Sequence, residues 1–215
     1  MNNTILNITN GDYFNKYFIS KYKEQAVPFC EVMMDGNTVE DIYSKEFIEL
    51  RAKSLNVTLE EYRSKMYVYD ELKLNNYSTI CLWFGKDTFC QMNMLTVLAY
   101  LEQIKYEGLL KINFIDDETF EVLEAFDNVK LGIYSKIYIE VLILKKKPNS
   151  IGLLFSKAID LYFDYHSSNG KLTNIVRNNF GKDKKDLITL LLFQSKDYGL
   201  SDIQIENLIN LYYKR

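Results

Sequence analysis

Proline occurs only twice and glycine nine times in 215 residues, which excludes collagen-like and low-complexity architectures and leaves no obvious linker. Histidine occurs once, and the three cysteines, Cys30, Cys81 and Cys90, are widely spaced. An odd, scattered set without paired intervals argues against a disulfide framework or a zinc site and reads as reduced thiols. No apolar run reaches membrane-spanning length, and the first residues show no basic region followed by an apolar stretch. The expectation is a cytoplasmic protein with no membrane partner. A net positive charge is also lacking. Residues 1–150 hold 17 basic and 22 acidic side chains, a difference of −5, whereas residues 151–215 hold 9 and 7, a difference of +2. Neither part builds the field on which binding to nucleic-acid phosphates relies, so DNA is not the expected partner.

The apolar pattern is that of a globular chain long enough to bury a sizeable core. Thr4–Thr9 reads as a first strand ending at Asn10-Gly11-Asp12, followed by a helix over Tyr13–Tyr22. Ala26–Phe29 reads as a second strand, placed near an edge because Pro28 lacks an amide donor. Helices are expected over Val39–Ser54, with Thr38 and Asp41 as caps, and over Leu59–Leu74, opened by the capping box Thr58-Leu59-Glu60-Glu61. Thr79–Phe84 forms strand three and Leu110–Ile115 strand four, with a helix through Leu95, Leu98 and Leu101 between them. A weaker fifth strand falls at Val129–Leu131, and a helix runs from Ser135 toward Lys147 until Pro148 stops it. Beyond Pro148 only helices follow, over 151–166, 172–179, 186–195 and 201–213. The expected architecture is α/β, a doubly wound, Rossmann- or flavodoxin-like, mostly parallel sheet in residues 1–148. A helical subdomain follows in 149–215.

With strand order 2-1-3-4, the loops after strands one and three meet at the switch point, where open α/β sheets bind ligands. The second of these loops, Gly85-Lys86-Asp87-Thr88-Phe89-Cys90-Gln91-Met92-Asn93, holds more polar chemistry than a connection needs. Asp12 and Asp87 are the candidate catalytic carboxylates. Asn10, Gly11, Arg51, Lys86, Thr88, Gln91 and Asn93 are the candidate ligand-binding residues. Lys86 and the helix start suit an anion, and Arg51 has no carboxylate one turn away on its own helix, so it can clamp an anionic group. Asp116 and Asp117, at the end of strand four, add carboxylates suited to Mg²⁺. Each has a plainer structural reading: Asp12 as an N-cap, Thr88 and Gln91 as a capping box, Lys86 and the paired aspartates as solvated loop, Arg51 on a solvated face. Cys90 reads as a buried thiol or, in a first helical turn, an activated one. His166 continues the stripe Phe155, Ile159, Tyr162 and reads as packed.

The segments Ile8-Thr9-Asn10-Gly11-Asp12, Val27-Pro28-Phe29, Glu46-Phe47-Ile48-Glu49-Leu50-Arg51 and Leu82 to Asn93 resemble the bacterial domain-of-unknown-function family 1835. Some members of that family carry the label of AraC-type transcriptional regulators. The resemblance implies a fold and a set of motifs, and, through the label, a regulatory module acting through its helical C-terminal part. Here the turn at Tyr198-Gly199-Leu200-Ser201 leads into a helix bearing Asp202 and Glu206, which would face phosphates with repulsion. The function expected from the residues is binding of a small anionic ligand, with Mg²⁺-dependent hydrolysis or group transfer as its catalytic form.

Overall fold

A computed structural model describes residues 4–74, 76–149 and 153–213. They form two compact units, one of the described residues up to 86 together with 90–148, the other of residues 87–89 and the described residues from 149 on. In the first unit, five strands lie in the order β2-β1-β3-β4-β5. They are β1 (Ile5–Asn10), β2 (Ala26–Phe29), β3 (Thr79–Gly85), β4 (Leu109–Ile115) and β5 (Val122–Phe126). The first three pairings are parallel and β4–β5 is antiparallel. Pro28 sits in an edge strand, as its missing donor requires.

Trp83 and Phe84 are consecutive in β3 and so point to opposite faces. Trp83 meets Phe18 of α1 (Asp12–Tyr22), ring centroids 5.0 Å apart. Phe84 meets Phe29, which packs on Tyr69 of α4 (Val68–Leu74). Helices therefore cover both faces. Every residue from Cys90 to Leu101 is buried, so α5 (Thr88–Gln103), to which they belong, is enclosed on all sides rather than on one face. Tyr69 joins this helix to the rest through Tyr100, at 4.9 Å. Trp83 itself is half-buried and donates its indole N–H to Asn7 Oδ1.

Several elements depart from the sequence reading. The helix expected from Val39 starts later, as α2 (Lys45–Leu55), because Ser44 rather than Thr38 or Asp41 supplies the cap to Phe47 N–H. The single helix expected over Leu59–Leu74 is two, α3 (Leu59–Lys65) and α4, with the Thr58–Glu61 capping box in place. The break turns the chain so that Val68, Tyr69 and Leu72 are buried together with Tyr62 and Met66. The fifth strand is not at Val129–Leu131 but at Val122–Phe126, folded back on β4 as a hairpin. The helix from Ser135 is α6 (Tyr134–Tyr138), continued by a π-helix over Ile139–Ile143, and it ends well before Pro148.

The second unit holds α7 (Ser156–His166), α8 (Lys171–Asn178), α9 (Lys184–Gln194) and α10 (Asp202–Tyr213). Ser201 and Gln204 cap α10 reciprocally. Part of the helix expected over 151–166 lies outside the described residues. Among the described residues, no helix is long and apolar enough to cross a membrane.

Candidate functional site

The loops after β1 and β3 are neighbours, as the strand order requires. Asn10 Nδ2 donates to Cys90 Sγ (2.9 Å), and Asn93 Nδ2 donates to Asn10 Oδ1 (3.0 Å) and to the Glu31 carbonyl (2.6 Å). Asn93 Oδ1 accepts from Met33 N–H. Asn93 is fully buried, so the two asparagines expected to meet a ligand instead bind each other and the backbone beyond β2. This junction is filled with hydrogen bonds rather than open.

The first turn of α1 is different. Gly11, not Asp12, is the N-cap residue, with φ +80°, and no side chain caps the helix. The space where a Cβ of Gly11 would stand is empty to beyond 4 Å. Helix-start amides thus lie beside open space at the strand that begins the switch point. The Asp12 carboxylate, half-exposed, lies 2.7 Å from Lys65 Nζ at the end of α3. The hydrogen bond from Lys65 is the main reason its carboxyl is held below the usual range, and Asp12 in turn pulls Lys65 upward. Asp12 is ionised and is no general acid. Cys30 lies against it, and burial, aided by the Asp12 charge, pushes this thiol up to about 12. Cys30 is therefore a thiol and not a thiolate at neutral pH.

Arg51 is no ligand clamp. It is fully buried, and its five N–H groups are all spent within the protein. Nε and Nη2 bond Glu31 Oε2 at 3.0 and 2.7 Å, Nη2 also bonds the Val32 carbonyl, and Nη1 bonds the carbonyls of Asp35 and Asn37. Burial works against its charge, but Glu31 more than offsets that. The solvated-face alternative fails too: the guanidinium is the internal tie of loop 31–37. Its partner, twenty residues upstream and outside any helix, left no trace in the helical spacing around Arg51.

The loop after β3 divides its residues. Lys86 Nζ pairs with Glu124 of β5 at 2.6 Å and covers the Phe114 ring, so it leads toward the sheet edge. Gln91 donates to the Lys86 carbonyl, and Thr88 Oγ1 donates to the Asp197 carbonyl, so the expected capping box between them does not form. Asp87 is buried in the helical unit, packed where a side chain at position 199 would lie. The two carboxylates expected to act together thus belong to different units. Asp116 Oδ1 accepts from Glu118 and Thr119 N–H, closing its own turn. His166 is exposed at the end of α7, its ring against Tyr162 and Tyr165.

Mg²⁺ prefers several oxygen ligands. At Asp12 the neighbours are an ammonium and a protonated thiol, so this corner does not fit that ion. What it offers is the Lys65–Asp12 ion pair beside uncapped amides, and it is the amides that favour an anion. Lys65 carried no signal in the sequence, because only folding brings α3 to the start of α1.

No protein-family model matches this chain, and neither does any curated protein.

Proposed function

We propose that this protein binds a small anionic molecule, one bearing a phosphate or carboxylate, at the turn between β1 and α1. The observation that carries this reading is the open space over Gly11 at an uncapped helix start, with the Lys65 ammonium bonded to the first helical residue. The strand order 2-1-3-4-5 supports a flavodoxin-like assignment of the sheet, in which this turn is a ligand position. The segments that resemble domain-of-unknown-function family 1835 include this same turn. Three free cysteines suit a cytoplasmic protein. Asp12, kept ionised, holds Lys65 in place and can accept hydrogen bonds from ligand hydroxyls. It does not serve as a proton donor.

The transcriptional reading finds less support. In the helical unit Lys157 pairs with Asp197 and Lys184 with Glu206, so two of its basic residues are already matched by acids. A DNA-facing surface would need unmatched basic residues gathered on one face.

Titration calorimetry with inorganic phosphate, sugar phosphates and mononucleotides tests the proposal, using wild type and Lys65→Gln. Saturable binding weakened about tenfold in Lys65→Gln, the loss of one charge-assisted contact, is expected. For a sugar phosphate, affinity should not change when Mg²⁺ is replaced by EDTA. A flat response to every compound, or equal binding by the variant, overturns the reading.

A further inference from the structure

The α/β unit contains a cavity of about 460 Å³, a volume typical of small-ligand sites. None of its lining residues belongs to the β1–α1 turn. One wall is the loop at Glu40, Asp41 and Ile42, a second is α5 at Ala99 and Gln103, and a third is the helix pair at Ser135, Tyr138 and Ile139. The third wall lies where α6 passes into the π-helix. Wide turns of this kind are rare and concentrate at functional sites.

Each wall is fixed independently of any ligand. Gln103 accepts from Ile42 N–H (2.9 Å) and donates to the Ile42 carbonyl and to Asp41 Oδ1, both at 3.0 Å. The Tyr138 hydroxyl bonds Thr38 Oγ1 and the Val39 carbonyl. Glu102 accepts from the N–H groups of Gly132, Tyr134 and Ser135 and so anchors the start of α6. A cavity with pinned walls loses little entropy when it is filled.

Its chemistry has one sign. Glu40 and Asp41 are exposed carboxylates, and among the described residues no lysine, arginine or histidine lines the cavity. Asp41 is bonded by a neutral amide only, and Glu40 forms no ion pair among the described residues. Ile42, Ala99 and Ile139 supply an apolar floor. We propose that the cavity binds a small organic cation of the alkylamine class, its ammonium against Glu40 and Asp41 and its methylene chain along that floor. An anion would meet two carboxylates with no compensating charge.

Calorimetry of the full chain with spermidine and putrescine tests this. The proposal expects saturable one-site binding, weakened at least tenfold in the double variant Glu40→Gln/Asp41→Asn. The same binding should be unchanged in the exposed control Glu46→Gln/Glu49→Gln and in Asp12→Asn, and thermal melts should confirm that all variants are folded. Any heat given by adipate, a dianion of comparable length, should be the same in wild type and in Glu40→Gln/Asp41→Asn, because it does not enter the cavity. No saturable binding, undiminished binding by Glu40→Gln/Asp41→Asn, or equal weakening by the control pair overturns it. Weakening by Asp12→Asn instead would move the amine to the β1–α1 turn and also refute the assignment, while leaving the anion proposal to its own test.

Discussion

Replacing Arg51 by methionine leaves the Glu31 carboxylate buried without its cation and takes the guanidinium donors from the carbonyls of Asp35, Asn37 and Val32, of which Val32 still accepts from Asp35 N–H. Breaking one side of a buried pair typically removes about 3–5 kcal/mol. Urea denaturation of Arg51→Met should show a loss of that size, against less than about 1 kcal/mol for the exposed Lys45–Glu49 pair on the same helix. Cys30 gives a second test at this scale. With its thiol held up by burial and by Asp12, iodoacetamide at neutral pH should label it slowly. Asp12→Asn removes the lesser of these causes and should speed labelling several-fold, with burial still limiting the rate. A Cys30 that reacts as fast as a free thiol in the native protein would contradict this account.

At the scale of the element, Glu102 of α5 acts as the cap that α6 lacks. Burial raises its carboxyl, but the N–H groups of Ser135, Gly132 and Tyr134 outweigh burial and leave it below the ordinary value of 4.5. A carboxyl depressed in the folded state stabilises the fold above its unfolded value, and that contribution is lost as pH falls through the folded value. Wild type should therefore lose stability below about pH 4.5 that Glu102→Gln does not lose. At pH 7 the variant should be less stable by about 1 kcal/mol, a cap's contribution discounted for partial exposure. Denaturant midpoints at pH 3.5 and pH 7 decide it. This cap also shows where sequence reading stops. The strands β1 to β4 and the Thr58 cap were legible because burial period and capping residues are local signals, whereas the strand order came only from taking the sheet as doubly wound. Strand β5 was not, since four of its five residues are exposed and leave no alternating pattern. The cap from Glu102 was hidden for a different reason, as it joins residues some thirty positions apart. At the candidate site, Gly11 and Asp12 could be picked out as a strand-end turn, but Lys65 could not.

For the whole molecule, the sheet predicts a gradient of local stability. Strands β1 and β3 are bonded on both sides, whereas β2 and β5 are edges. Amide hydrogen exchange should be slowest in β1 and β3 and faster by at least an order of magnitude in β5, whose side chains are mostly exposed. Equal protection across the five strands would mean that the sheet opens only as a unit.

The position of β1 has a consequence for biosynthesis. Its inner partner, β3, lies roughly 70 residues downstream, so the ribosome completes β1, α1 and β2 well before β3 exists. At ordinary elongation rates that interval is roughly 4–14 s. During it, the nascent chain carries a strand with one side unpaired, a template for association with other newborn chains. A chaperone that occupies that edge until β3 emerges should raise the yield of folded protein, and a silent slowing of translation between codons 30 and 78 should lower it.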